Sequence, residues 1–168
     1  MAKGRTHDLI NFAVLPPLIY YLHPSDFISF STGYFIGTFF LTPDNDLYLS
    51  KPNSRWKILK FIWLPYTKLF SHRGISHIPI YGTITKIFYL SLIAFIFLFL
   101  LKLLINFLIQ DNNFQVLRFD NLDFSSFLNN VSFLSFFFGL ILAEFVHILT
   151  DIIYSSFKKL KPKRKRRR

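Results

Sequence analysis

The chain of 168 residues contains no cysteine. This excludes disulfides, thiolate metal sites and a cysteine nucleophile. Any metal ion would have to be held by His, Asp, Glu or backbone oxygen. Charge is also scarce. Only 17% of residues are Asp, Glu, Lys or Arg, against about 25% in typical soluble proteins. Acid is the scarcer sign, nine residues against twenty basic ones. What the sequence has in abundance is apolar surface: 52% hydrophobic residues, 23 of them Phe. A disordered chain is excluded, because disorder needs low hydrophobicity and high charge. The length corresponds to about one domain.

The net charge of +11 sits at one end. Lys158 to Arg168 carry nine of the twenty basic residues and no acid, so the other 157 residues are only +2. The high isoelectric point therefore describes a tail. At the start, MAKGRTHD places two positive charges before an apolar run, as a signal peptide does. Pro16-Pro17 interrupts that run and no small-x-small cleavage site follows cleanly, so the segment reads as retained.

Four stretches are free of charge or nearly so: Leu9 to Ser25, Phe27 to Pro43, Ile87 to Leu101 with an extension to Gln110, and Phe124 to Ala143 with apolar character continuing to Phe157. A membrane span needs about 20 apolar residues. The fourth stretch meets this outright. The third meets it if Lys86 and Lys102 snorkel at its ends. The first two are shorter, and read as a helical hairpin, kinked at Pro16-Pro17, that need not cross the whole bilayer. A soluble bundle would need a polar face on each helix, and a run such as FYLSLIAFIFLFLL has none. The expected fold is all-α: a polytopic helical membrane protein of about four apolar helices, comprising a helical membrane domain over 1–157 and a polybasic tail over 158–168. Segment 51–70, with Trp56, Trp63 and Tyr66 among lysines, reads as an amphipathic interfacial stretch.

Loop charge orients these segments. Basic residues dominate the N-terminus (Lys3, Arg5), the loop 44–77 (Lys51, Arg55, Lys57, Lys60, Lys68, Arg73) and the tail. The other two connections are acidic on balance, with Asp26 in one and Asp111, Asp120 and Asp123 against Arg118 in the other. Basic loops mark the cytoplasmic side. Both termini and loop 44–77 are therefore expected in the cytoplasm, in a multi-pass protein of the cell membrane.

Most metal-capable residues fall in four clusters: His7-Asp8, Asp44 and Asp46, His72 and His77, and His147 with Asp151. On this topology all four lie at the cytoplasmic ends of the apolar segments, although the clusters took no part in setting it. His147 and Asp151 are four apart and share a helix face with Glu144. Gly74 permits a turn that brings His72 and His77 to one place. The aspartates of TPDND are not an EF-hand loop, which needs Gly at its sixth and Glu at its twelfth position. Individually each cluster has an ordinary reading, as a helix cap, a solvated turn or an i,i+4 hydrogen bond. Four on one face point to a shared cation site. His23-Pro24, on the opposite side, reads as a turn without a role.

At these residues the chain resembles the YdjM-like family of membrane-bound hydrolases predicted to be metal-dependent. It is similar still more closely to a related group described only as metal-binding membrane proteins. The shared pattern is an early His, Pro-Asp-x-Asp, His-Arg-Gly-x-Ser/Thr-His and a late His-x-x-x-Asp. Here these are His7, Pro43 to Asp46, His72 to His77, and His147 to Asp151. Some members carry a further His after the second Asp of Pro-Asp-x-Asp, where this chain has Leu47. A more distant likeness is to zinc-dependent phospholipases C and single-strand nucleases, which favours a phosphodiester or phospholipid substrate. The resemblance implies a metal-dependent hydrolase at the cytoplasmic membrane face. Its metal ligands would be His7, Asp44, Asp46, His72, His77, His147 and Asp151. Arg73 would clamp an anionic group, and Asp8 or Glu144 would act as general base. The donor set suits zinc first, with manganese or iron as alternatives. Seven ligands exceed one tetrahedral ion's need, so either two ions bind or some residues orient the ligands. The alternative is a non-catalytic membrane protein stapled by a structural metal. The tail is expected near anionic lipid headgroups. Nucleic acid is disfavoured, because the tail has no aromatic to stack on bases.

Overall fold

The computed structural model describes residues 4–70, 74, 77–109 and 129–160. His72, Arg73, the acidic connection 111–123 and tail residues 161–168 lie outside the described residues. Among the described residues six α-helices follow in order: α1 Gly4–Leu22, α2 Phe27–Phe39, α3 Lys51–Arg55, α4 Trp63–Leu69, α5 Tyr81–Ile109 and α6 Val131–Leu160. A 3-10 turn, Pro43–Asp46, follows α2, and a second, Lys57–Ile62, precedes α4. The described chain is all-helical.

The expectation of four apolar helices is corrected. Among the described residues two helices are long and apolar enough to cross a membrane, Tyr81–Leu108 of α5 and Val131–Lys159 of α6. The 13 residues of α2 rise only about 20 Å at 1.5 Å each. Helix α1 carries Arg5 and Asp8 near its start and buries the polar residues His7 and Asn11. It also runs through Pro16 and Pro17 without interruption. Both prolines sit on its exposed side, where the carbonyls that lose a donor are not sealed in a core.

Helix ends follow local chemistry. Asp26 caps α2, accepting from the Ser29 amide at 3.0 Å and the Ser29 hydroxyl at 2.8 Å. Asn130 caps α6 through the amides of Ser132 and Phe133. Ser50 caps α3, with Pro52 in its first turn. His23 takes a positive φ of 44° just after α1, the left-handed residue that commonly closes a helix.

The tightest helix pair is α2 against α6, and small residues make it possible. A Cβ added to Gly33 would lie 2.0 Å from the Phe136 carbonyl oxygen, and one added to Gly139 would lie 2.2 Å from that of Phe30. One added to Gly37 would lie 2.9 Å from the Ala143 methyl. Gly33-x-x-x-Gly37 thus faces Gly139-x-x-x-Ala143, the small-residue spacing that lets two helix backbones meet. Helix α1 is pinned to both by Asn11. Its amide nitrogen donates to Thr38 Oγ1 and to the Ala143 carbonyl, each at 3.3 Å, and its backbone carbonyl accepts from Tyr34 at 3.1 Å.

A second core joins the α3–α4 segment to α5. Trp63 and Tyr66 are fully buried with Tyr89, against Leu41, Trp56 and Ile62. The Trp63–Tyr66 and Trp56–Trp63 ring pairs are edge-on, the geometry the ring quadrupole favours. Tyr89 donates to the Ile62 carbonyl. Segment 51–70 folds as three short pieces, and two of its three named aromatics, Trp63 and Tyr66, face inward because α5 supplies a partner ring.

Helix α5 touches α6 chiefly through one polar contact. Lys86, fully buried, donates to Glu144 at 2.9 Å, and the Thr83 hydroxyl also donates to Glu144. Lys86 does not snorkel. An ammonium inside an apolar helix takes the nearest carboxylate when one is present.

Candidate metal centre

The 3-10 turn Pro43–Asp46 presents two carboxylates from the end of α2. Pro43 preorganises it, and the Asn45 amide closes onto the Thr42 carbonyl at 3.1 Å. Two buried asparagines hold its shape. Asn45 donates to Asn53 at 2.7 Å, while Asn53 donates back to the carbonyls of Asn45 at 3.0 Å and Leu47 at 2.9 Å. Helix α3, which carries Asn53, is tied to the end of α2 as well. Arg55 donates to the Phe39 carbonyl at 2.9 Å, and the Trp56 indole donates to that of Phe40 at 3.2 Å. A cation on the last carbonyls of a helix is favourably placed.

Six of the seven ligand candidates converge here from four parts of the chain. His7 comes from the first turns of α1, Asp44 and Asp46 from the 3-10 turn, His77 from just before α5, and His147 and Asp151 from one face of α6. His7 Nε2 lies 3.2 Å from Asp151 Oδ1. His77 Nδ1 lies 3.4 Å from Asp46 Oδ2, and its Nε2 lies 3.8 Å from Asp44 Oδ1. His147 Nε2 lies 3.7 Å from Asp44 Oδ2. The rings of His7 and His147 stack at 3.9 Å with an interplanar angle of 6°. His7, Asp46 and His147 are each 3% exposed, so these groups are withdrawn from water and must be satisfied by one another or by an ion.

Hydrogen bonding alone leaves the cluster incomplete. His7 Nδ1, Asp44 Oδ1 and His147 Nε2 are buried with no hydrogen-bond partner. Orphaned buried polar atoms of this kind cost about 1–3 kcal/mol each. Several imidazoles and carboxylates facing inward with unused lone pairs form the donor set of a divalent cation. Among the described residues two groups of three have ligand atoms all within 4.8 Å of one another: His7, His147 and Asp151, and Asp44, His77 and Asp151. Burial pushes the Asp44 carboxyl up, but His147, His77 and His7 together outweigh it and hold its pKa below the usual carboxylate range. Asp44 thus presents an anion to three imidazoles.

A family model described as "Uncharacterized metal-binding protein (DUF2227)" matches residues 2–161. The chain belongs to this family. A relative from Aquifex aeolicus (strain VF5), described as an uncharacterized protein, is 44% identical over 140 residues, covering 82% of this chain and 99% of the relative. No solved structure matches the chain. Metal binding is thus the family's own description, and the His and Asp groups supply donors that fit it. The family description names no reaction, so the hydrolase expectation does not come from it.

The two carboxylates expected as general bases are turned elsewhere. Asp8, next to His7 in sequence, is paired with Lys51 and with Arg55, the latter at 2.6 Å. It ties the start of α1 to α3. Glu144 is held by Lys86 and Thr83 between α5 and α6. Each carboxylate is thus engaged by a cation away from the imidazole cluster.

Sequence reasoning missed Asn11, Asn45 and Asn53. Asn11 lies one turn after His7 and fixes the register of that imidazole; Asn53 fixes the aspartate turn. No motif marks them, since an isolated Asn has many ordinary uses. The Lys86–Glu144 pair did carry a signal. Two opposite charges within apolar stretches each require a partner, and each is the other's nearest solution. Gly33-x-x-x-Gly37 was legible in the same way.

Proposed function

We propose that this protein is a membrane-bound, metal-dependent hydrolase acting on a phosphoester at the cytoplasmic membrane face. One observation carries the reading. The ligand cluster is not sealed on all sides, because His77 and Asp151 also line a cavity of about 400 Å³ shared with Ile148, Ile152, Ser155, Ser156 and Lys159. Structural metal sites are closed, whereas catalytic ones keep an open position. The cavity's chemistry is graded. Lys159 and two hydroxyls suit an anionic phosphoryl group, and two isoleucines suit the apolar part of an amphiphile. Arg73 is a further candidate for clamping that anion. A divalent ion held by the cluster would supply Lewis-acid polarisation and an activated water.

Membrane insertion is supported by α5. A soluble core helix is mostly buried, yet only 6% of the most apolar window of α5 is. Phe88, Phe97 and Phe107 are 70%, 63% and 79% exposed. Contiguous apolar surface on that scale marks an interaction with lipid or protein. In α6 the 20 residues from Val131 to Thr150 rise about 30 Å, the thickness of a hydrocarbon core. Asp151 then falls at the bilayer boundary. In this reading α5 and α6 span, the α1–α2 hairpin packs beside α6, and both termini and the site face the cytoplasm by the positive-inside rule. Lys158 and Lys159 continue α6 into the headgroup region, where each basic residue near an anionic surface contributes about 1 kcal/mol.

Detergent-purified protein, stripped with chelator and reloaded with zinc or manganese, should turn over a panel of phosphomonoesters, phosphodiesters and phospholipids only when reloaded. His147→Ala should abolish turnover while leaving helix content intact. A second reading, a structural metal, is favoured by the origin of the ligands in four separate parts of the chain, which an ion would staple together. No turnover on any substrate, with unfolding on metal removal, would establish the staple and refute the enzyme.

A further inference from the structure

The cluster's donors do not surround one point. They form two triads that share a single residue. His7, His147 and Asp151 make one, Asp44, His77 and Asp151 the other, and within each triad all three ligand atoms lie within 4.8 Å of one another. We propose that the centre holds two divalent ions, one per triad, with the Asp151 carboxylate shared between them. This inference rests on the metal-centre reading above and adds the number of ions and the residue that joins them.

Three further observations agree with the division. The two oxygens of Asp44 diverge, Oδ1 towards His77 at 3.8 Å and Oδ2 towards His147 at 3.7 Å. Asp44 therefore stands between the two triads as Asp151 does, and can bind either ion or both. Second, the orphaned buried atoms fall on both sides. His7 Nδ1 and His147 Nε2 belong to the first triad and Asp44 Oδ1 to the second. A single ion in the first triad would leave Asp44 Oδ1 without a partner, and one in the second would leave His147 Nε2. Third, Asp46 Oδ2 lies 3.4 Å from His77 Nδ1. This gives the second triad the carboxylate–imidazole pairing that commonly orients a metal-bound histidine. Five ligand residues with one shared carboxylate supply three protein donors to each ion, the number typical of catalytic sites.

The fold explains how a shared carboxylate arises. Asp151 lies one turn beyond His147 on α6, so a single helix face delivers a ligand for one ion and the bridge to the other. The first triad is completed by α1 and the second by the 3-10 turn and the residues before α5. Each half is thus assembled by its own packing partner of α6, with Asn11 holding the first and Asn45 and Asn53 the second.

Stoichiometry tests this directly. Stripped wild-type protein titrated with manganese alone should take up two equivalents per chain by elemental analysis. Its electron paramagnetic resonance spectrum should show exchange-coupled rather than isolated ions. His7→Ala should reduce uptake from two equivalents to one, as should His77→Ala, and each singly loaded variant should show an isolated-ion spectrum. Asp151→Asn, close to isosteric, should lose the coupling. One equivalent in the wild type with an isolated-ion spectrum would overturn the two-ion centre, a result that needs no variant to fold. So would complete loss of binding in both His7→Ala and His77→Ala with helix content preserved, since that describes one ion using both halves. The proposed hydrolase fails separately. Two coupled ions without turnover on any ester would refute the reaction and leave the dinuclear centre standing, whereas no uptake at all would refute both.

Discussion

The Lys86–Glu144 pair offers the sharpest test of how this chain is held together. Both side chains are about 1% exposed, and the ammonium nitrogen lies 2.9 Å from the carboxylate. Glu144→Ala would leave Lys86 buried without its counter-charge and Thr83 without its acceptor. Removing one partner of a buried pair costs about 3–5 kcal/mol, because the remaining charge is desolvated and uncompensated. At about 2–4 °C per kcal/mol for a chain of this size, the melting temperature should fall by roughly 6–20 °C. Circular dichroism in detergent micelles would measure it, with Trp63 fluorescence reporting on the neighbouring aromatic core. The double variant Lys86→Met/Glu144→Leu removes both charges and replaces them with apolar volume, a change that is often neutral. It should recover most of the loss. Metal uptake by Glu144→Gln should match the wild type, because the structure places Glu144 between helices and not in the ligand cluster. A drop below about 2 °C for Glu144→Ala, or a double variant no more stable than the single, would show that the pair does not hold α5 to α6. Loss of metal from Glu144→Gln would return Glu144 to the site.

The α2–α6 contact should be intolerant of a single methyl group. Gly139→Ala should destabilise by about 1–3 kcal/mol in the same melting assay, while Gly4→Ala, whose Cβ would meet only the flexible Lys51 side chain at 3.2 Å, should be nearly silent. Asn53→Ala should strand the buried Asn45 amide, cost about 1–3 kcal/mol, and weaken metal binding roughly 10–100-fold by loosening the aspartate turn, as read by calorimetric titration. The Asp26 carboxyl is held down from 3.8 to about 2 by Ser132 and then Ser29. A depressed carboxylate stabilises the fold above its unfolded pKa and loses that contribution as pH falls through its folded one. Wild-type melting temperature should therefore decline between about pH 4 and pH 2, and Asp26→Asn should flatten that decline.

Much of the metal centre was visible in the chain as a pattern. His7, the two aspartates after Pro43, His77, and the His147–Asp151 spacing stand out because an apolar sequence has so few polar residues to spend. Helical periodicity places His147 and Asp151 on one face without any tertiary information. Apolar length alone separates the two long helices, α5 and α6, from the shorter α1 and α2. Tertiary structure decided what each remaining polar group does. Asp8 and Glu144 carry the same chemistry as the candidate ligand aspartates, yet a cation lies within reach of each, and that proximity depends on how α3 and α5 pack. The inward turn of Trp63 and Tyr66 depends likewise on Tyr89 arriving from α5. The division of the donors into two triads sharing Asp151 has no one-dimensional signature, because it is set by distances of 3 to 5 Å between side chains drawn from parts of the chain as far apart as His7 and Asp151. Local sequence dictates which residues a helix presents on each face. Only the packing of the helices determines which faces meet.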